Sequence, residues 1–473
     1  MAAGQVQKTD RASDGLWAPA RRGLTTGLVL STTFIAAEAL AVITIMPRVA
    51  RDLGGLNLYG WVFSAFMLGS VVGTVAAGRD ADRSGPARPF VAGLVLFGAG
   101  LAVAGLAPSM PVLVLGRVLQ GLGAGAVPAV AYVAIGRSLL PRLRARMLAV
   151  LSSAWVLPGL LGPLLSAEVT QLFGWRWVFL GLIPFVGAAG LLALPALVRL
   201  GRPSARPAAA EQRLLDAVRA AAGSGLLLGG LSSDHAPLAA ALILGGVAIG
   251  VPALRRLLPA GTLTARRGLP ATILSRGALT FAFFGGDAFV TFTITIVLHH
   301  STATAGLAIT SSTLAWTLGS WLQVRLSRSR QARAVIRLGL ALLLLGITGM
   351  LIALRPATPI AAAVGAWTLA GLGIGLAYSP ISLLTLRAAP EGRDGWASAS
   401  LNLADVLGTA LGTGAAGAAI VLGADHGWST TTAVTVAFAL AAAAALAALA
   451  LTRRLPLHDL DGGGAREAVA GVA

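Results

Sequence analysis

The sequence predicts an all-α polytopic membrane protein with 14 transmembrane helices, and three observations carry that expectation. Hydrophobic residues fill 56% of 473 positions and charged residues 11%, with a mean hydropathy of +0.81, whereas a soluble domain of this size carries far more surface charge. Fourteen apolar stretches approach or exceed the roughly 20 residues a helix needs to cross a bilayer. Arginine is distributed along the chain in the alternation that membrane topology imposes.

The first span, 24–48, lies in the apolar run Thr25–Leu53 and carries one carboxylate, Glu38, flanked by Leu28–Ala37 and Ala39–Met46. No small-residue cleavage site follows it at signal-peptide distance, so it is read as a retained helix. Spans two to six follow at 59–79, 88–107, 110–136, 145–171 and 176–199; the fourth holds Arg117 and the fifth holds Glu168 in its outer third. A further pair, 212–231 and 237–254, precedes spans nine to fourteen at 271–298, 303–325, 335–354, 358–386, 395–424 and 429–452. Span nine places Asp287 after Gly285-Gly286 at mid-length, among Phe281, Phe283 and Phe284. Span thirteen carries Asp405 near its middle, with Asn402 three positions earlier on the same face. Connections are short, and Gly, Pro, Arg or Asp mark most of them.

With the N-terminus inside, 30 arginines and Lys8, the only lysine, fall on inner loops and helix ends, Arg276 among them. Only Arg48, Arg51, Arg176 and Arg355 fall outside, and Arg117 lies within a span. This bias predicts an even number of spans and two cytosolic tails, 1–23 and 453–473. The net charge of +18 therefore tracks topology and does not point to nucleic acid. The absence of cysteine excludes disulfides and thiolate metal sites. His235, His299, His300 and His426 fall on outer loops or edges and name no metal site, and no Gly-x-x-x-x-Gly-Lys-Ser/Thr run is present. Neither cofactor nor metal is expected, and ATP is not expected as the driver.

An internal repeat organises the spans. Leu68-Gly69-Ser70 recurs as Leu318-Gly319-Ser320, and Gly121-Leu122-Gly123-Ala124-Gly125 as Gly371-Leu372-Gly373-Ile374-Gly375. Val156-Leu157 with Leu161-Gly162 recurs as Val406-Leu407 with Leu411-Gly412, and each match has an offset of 250 residues. The expected domains are two parallel six-helix bundles, 24–199 and 271–452, with an inserted helix pair and linkers over 200–270. Such halves place a substrate site at the bilayer midplane between them. The offset carries Glu38 to position 288, next to Asp287.

An acid at the centre of a membrane helix costs about 2.5–3.5 kcal/mol on insertion scales, so Glu38, Asp287, Asp405 and Glu168 are candidate proton or cation sites. The alternative for each is a structural carboxylate paired with a neighbouring helix, or, for Glu168, one that snorkels to the interface. In general a carboxylate holds its proton more tightly when desolvated and less tightly beside an arginine. An acid that alternately meets inner and outer water can therefore cycle between proton uptake and release. Trp61, Phe66, Trp155, Phe283, Trp316, Trp321, Trp367 and Tyr378 are candidates to line an apolar cavity, with packing or lipid contact as the alternative for each.

Several motifs resemble the major facilitator superfamily. Gly78-Arg79-Asp80-Ala81-Asp82-Arg83-Ser84-Gly85 resembles its cytosolic signature between helices two and three, with Pro86-Ala87 where a basic pair is usual and Arg88 coming late. The resemblance implies that Asp82 and Arg83 belong to an inner-gate latch. Arg117-Val118-Leu119-Gln120-Gly121 resembles the membrane-embedded arginine motif associated with proton coupling. Pro158-Gly159-Leu160-Leu161-Gly162-Pro163 resembles the antiporter motif, with Ser166-Ala167 replacing its terminal glycine pair. Glu38 with Pro47 and Asp52-Leu53-Gly54, and Gly174-Trp175-Arg176-Trp177-Val178-Phe179, resemble signatures of the fourteen-helix drug/proton antiporter branch, with Glu38 where Asp is usual.

The resemblance implies a monomeric, proton-coupled exporter of lipophilic or cationic small molecules, multi-pass in a bacterial cytoplasmic membrane. Export of an endogenous lipid, a siderophore or a self-made antibiotic is the nearest alternative. A membrane-embedded enzyme lacks a nucleophile and base, since no His falls within a span, and a sensor would carry a sizeable soluble domain.

Overall fold

The computed structural model describes residues 15–19, 21–139, 141–202, 210–233, 235–326, 331–355, 358–390 and 393–456. The tails expected up to residue 14, with Lys8 and Arg11, and from residue 457, with Arg466, lie outside the described residues, as do Arg206, Arg328 and Arg330. Among the described residues all regular structure is helical. The elements are α1 Arg22–Leu53, α2 Tyr59–Ser84, α3 Ala87–Gly105, α4 Met110–Ser138, α5 Pro141–Ser153, α6 Val156–Leu172, α7 Arg176–Leu180 and α8 Ile183–Arg199. They continue with α9 Ala210–Leu231, α10 Ala236–Leu257, α11 Leu269–Phe292, α12 Thr302–Leu326, α13 Ala332–Ala353, α14 Ile360–Arg387, α15 Asp394–Asp425 and α16 Thr430–Leu451.

Twelve helices among the described residues are long and apolar enough to cross a membrane. Two expected spans differ from that pattern, each for a physical reason. The stretch 145–171 divides into α5 and α6, of 13 and 17 residues. Pro158 lacks an N–H, and its ring excludes a helical carbonyl four residues back, which is at Ala154, where the helix breaks. Helix α12 has the length, 25 residues, but is rich in hydroxyls. These satisfy themselves within the helix: Ser311 Oγ donates to the Ala308 carbonyl at 3.1 Å, Thr313 Oγ1 to Ile309 at 3.0 Å and Thr317 Oγ1 to Thr313 at 3.1 Å.

The chain forms two compact units, Met1–Gly54 with Ala65–Ala221 and Gly55–Ser64 with Ala222–Ala473. In the first, α4 crosses α2 and α3 on glycine. A Cβ at Gly121 would meet the backbone of Phe66, one at Gly125 that of Ser70, and one at Gly123 those of Gly93 and Phe97. Backbones approach this closely only where side chains vanish. Gly121→Val is therefore expected to destabilise the protein by the ~1–3 kcal/mol typical of overpacking, seen as a lower melting temperature in detergent. Gly187→Ala, where a Cβ would meet nothing within 4 Å, serves as the control and is expected to change it little.

In the second unit α11 and α15 form the interior, with 72% and 78% of their spanning windows buried, whereas α10, at 17%, lies at the rim. The start of α2 packs here: Ser64 Oγ donates to the Ala410 carbonyl at 2.9 Å and lies 3.0 Å from Thr413 Oγ1. The α12–α14 crossing repeats the glycine logic, with Gly371 against Ser312, Gly375 against Trp316 and Gly319 against Leu372. In the first unit the residue seated on Leu122 is Gly73, so the packing counterpart of Gly319 lies 246 residues earlier and is not Gly69. The Leu-Gly-Ser match at 250 residues is thus one helical turn out of register, while the α4 and α14 glycines keep the 250-residue offset. Four residues is about one turn, so the slip preserves which face of the helix is glycine.

Candidate transport sites

In the first unit the site is a buried ion pair. Glu38 sits at the middle of α1, fully buried, and Arg117 Nη1 donates to its Oε1 from α4. The same nitrogen donates at 2.6 Å to Gln120 Oε1, one turn along α4. The guanidinium carbon stands 4.3 Å over the ring of Phe66, so the cation is held by a carboxylate, an amide and an aromatic face. Glu38 Oε2 and Gln120 Nε2 are buried without hydrogen-bond partners among the described residues. Phe66 is thereby a packing partner of Arg117, itself only 4% exposed.

Two motifs far apart in sequence meet at the other end of α1. Trp175 Nε1 donates to Asp52 Oδ2 at 3.1 Å, and Arg48 lies 3.3 Å from Asp52 Oδ1. Arg176 stacks on Trp175 at 4.4 Å and donates to the Ala107 carbonyl at 3.2 Å. In the α2–α3 connection Arg88 lies 3.6 Å from Asp80 Oδ2, and Ser84 Oγ donates to Asp80 Oδ1 at 3.1 Å. Asp82 is half-buried, Arg83 is exposed and Gly78 has open space beside it. Gly85 has φ +88° and packs on the Gly201 backbone, so both conformation and contact require glycine there.

The second unit brings together more of the expected residues. Asp287 on α11 accepts a 2.8 Å hydrogen bond from Trp367 Nε1 on α14, and the two residues are 4% and 0% exposed. No ion pair to Asp287 occurs among the described residues. Trp367 lies 250 residues after Arg117, the offset that relates the α4 and α14 glycines. The same helix position thus supplies a cation to the acid of one unit and a neutral indole N–H to the acid of the other.

From Trp367 an aromatic row runs through this unit. Trp367 stacks on Phe283 with centroids 5.4 Å apart, Phe283 meets Trp316 edge-on at 5.4 Å, and Trp316 meets Tyr378 at 5.5 Å. At the far end Tyr378 Oη donates to Asp405 Oδ2 at 2.8 Å. Arg276, counted from sequence as a helix-end arginine, is instead only 1% exposed. It lies 3.4 Å from the Tyr378 ring centroid, with its Nε 3.9 Å from Asp405 Oδ1. Its position seven residues inside α11 was the available signal.

Other expected residues lie apart from these groups. Glu168 and Asn402 are exposed on α6 and α15, and Trp155 is 48% exposed at the α5–α6 break. Trp321, at 73%, faces outward, and Trp61 is half-buried, 3.8 Å from where a Cβ at Gly229 would stand. Pro158, Gly159 and Pro163 are buried, Gly162 half-buried, and Pro163 lies inside α6.

The profile of the Major Facilitator Superfamily matches residues 24–413. The chain belongs to the Major Facilitator Superfamily. It is a multi-pass membrane transporter, and the family is one of transporters, not enzymes. Among similar proteins, the probable multidrug-efflux transporter Rv1634 of Mycobacterium tuberculosis is 28% identical over 450 residues, covering 87% of this chain and 91% of that one. The multidrug transporter protein MdtP of Bacillus subtilis is 32% identical over 176 residues, 37% of this chain and 32% of the relative. The crystal structure of a D-xylose-proton symporter shares the superfamily fold with a TM-score of 0.64 over 92% of this chain and 98% of that one, at 15% identity.

Proposed function

We propose that this superfamily transporter is a proton-coupled antiporter that exports lipophilic or cationic small molecules by alternating access. Its fourteen spans comprise two parallel six-helix bundles, 24–199 and 271–452, with an inserted pair over 200–270. It works as a monomer in a bacterial cytoplasmic membrane, with both termini cytosolic. The observation that carries the reading is the aromatic row whose two ends are Asp287 and Asp405, in one unit. Aromatic faces accept flat apolar molecules and cations in many orientations, and Asp287, with no ion pair among the described residues, supplies the charge that a cation or a proton answers. The full-length relative named as a probable multidrug-efflux transporter supports the same direction of transport.

In this mechanism Asp287 is the exchange group. An ionised carboxylate buried with only an indole N–H lacks charge compensation, which is costly in a low-dielectric interior. Either a proton or the cationic centre of a substrate removes the cost, and the two compete for one position. Each occupant favours a different orientation of the helices, which is sufficient to shift an alternating-access equilibrium. Glu38, already answered by Arg117, holds α1 to α4 and keeps its charge compensated throughout. The inner loop with Asp80, Asp82, Arg83 and Arg88 acts as the inner-gate latch, and Pro158, Gly159, Gly162 and Pro163 let α6 bend as the halves rock.

The test is ethidium efflux from a sensitive bacterial host that expresses the chain. The expected result is efflux above the empty-vector control that a protonophore abolishes within minutes. Efflux that survives the protonophore, or no efflux above the control with protein present in the membrane, contradicts the reading.

A further inference from the structure

We infer that Arg276 and Asp405 form a binding site for zwitterions, molecules that carry an anionic and a cationic group on an aromatic body. The Arg276 side chain is 2% exposed and that of Asp405 20%. Arg276 Nη2 is engaged, donating to the Tyr378 carbonyl at 2.9 Å and to Ser382 Oγ. Arg276 Nε and Nη1 have no hydrogen-bond partner among the described residues, and neither does Asp405 Oδ1. Two of these atoms are neighbours: Nε lies 3.9 Å from Oδ1, beyond hydrogen-bond length. Tyr378 holds both partners, its ring under the guanidinium and its hydroxyl on Asp405 Oδ2.

The charge balance of this pair selects the ligand class. Removing one member of a buried pair strands the other charge, which is costly. A simple cation that takes Asp405 leaves Arg276 uncompensated, and a simple anion that takes Arg276 leaves Asp405 uncompensated. A zwitterion that enters between them replaces both lost partners, with its ammonium on Oδ1 and its carboxylate on Nε. Trp316, next in the row after Tyr378, receives the aromatic body. The direction of transport rests on the export reading above, whereas the binding preference does not.

The test uses the purified full-length protein in detergent and three fluorescent probes that share one aromatic body. They are Nε-dansyl-lysine, its methyl ester, which keeps only the positive charge, and its Nα-acetyl derivative, which keeps only the negative one. The zwitterion is expected to bind at least tenfold more tightly than either derivative. Arg276→Gln is expected to weaken the zwitterion and the acetyl derivative while sparing the ester, and Asp405→Asn to do the reverse with the ester and the acetyl derivative. This charge-specific crossing is a result that a merely structural role cannot give. Equal binding of all three probes to the natural protein, no binding of the zwitterion, or an equal loss of all three in both variants overturns the inference. The ranking on the natural protein decides by itself if a variant fails to fold, and Arg276→Lys then supplies the charge-retaining comparison. Proton-driven ethidium export, measured after the same protein is reconstituted into proteoliposomes, separates the two readings. Export without a zwitterion preference overturns this inference alone, and a zwitterion preference without proton-driven export overturns the antiport reading alone.

Discussion

Arg117→Ala is expected to abolish export and to destabilise the protein by about 3–5 kcal/mol, the usual cost of removing one member of a buried ion pair. The effect follows from where the charges lie. Glu38 is fully buried and Arg117 is 2% exposed, so water cannot replace the guanidinium once it is gone. The loss also strips Gln120 Oε1 of its 2.6 Å donor and leaves Phe66 without the cation that stacks on it. The double variant Glu38→Gln/Arg117→Gln removes both charges and leaves two amides able to pair. It is expected to recover more than half of the lost stability, because the cost is mainly that of the stranded charge. Thermal melts of the double variant and of the single variants Glu38→Gln and Arg117→Gln, in one detergent, check this as a double-mutant cycle. A melting temperature for Arg117→Ala within a degree or two of the natural protein contradicts the account of the pair.

The all-helical class and the helix order were legible in the sequence, whereas what the buried acids touch was not. Apolar length and arginine alternation are local quantities, so most spans could be read directly. The break at Ala154 depended on a single proline ring, which could equally have been read as a bend, and α12 is long enough to span but too rich in hydroxyls to be apolar. The two motifs that meet as Asp52 and Trp175 lie 123 residues apart. Their shared purpose depends on how α1 and the chain before α7 pack, which no spacing rule contains. A tryptophan in a span suggests cavity lining, and nothing in the sequence pairs Trp367 with an acid. Its N–H on Asp287 becomes meaningful only when α11 and α14 are seen together.

Arg276 shows the same limit from the other side. Placed by sequence with the inner helix ends, it lies buried beside Asp405. The repeat shows it again in register. Three short matches share one offset, yet the span holding Gly319 is shifted by one turn relative to the span holding Gly371. Identity of letters could not separate Gly69 from Gly73, whereas their contacts do.

Asp287→Asn is expected to uncouple substrate movement from proton movement with little loss of structure. Asparagine keeps an acceptor for the Trp367 N–H, which now bonds at 2.8 Å, and it matches the volume of the carboxyl. It also matches the neutral, proton-loaded state permanently, so no proton can be exchanged for substrate at this position. Proteoliposomes that enclose a pH-sensitive dye and receive a pulse of ethidium report both fluxes at once. The natural protein is expected to move protons against ethidium, and Asp287→Asn to let ethidium equilibrate down its gradient at a measurable rate with no accompanying proton signal. An Asp287→Asn protein that still moves protons with ethidium in the natural ratio contradicts the central claim that Asp287 is where proton and substrate compete.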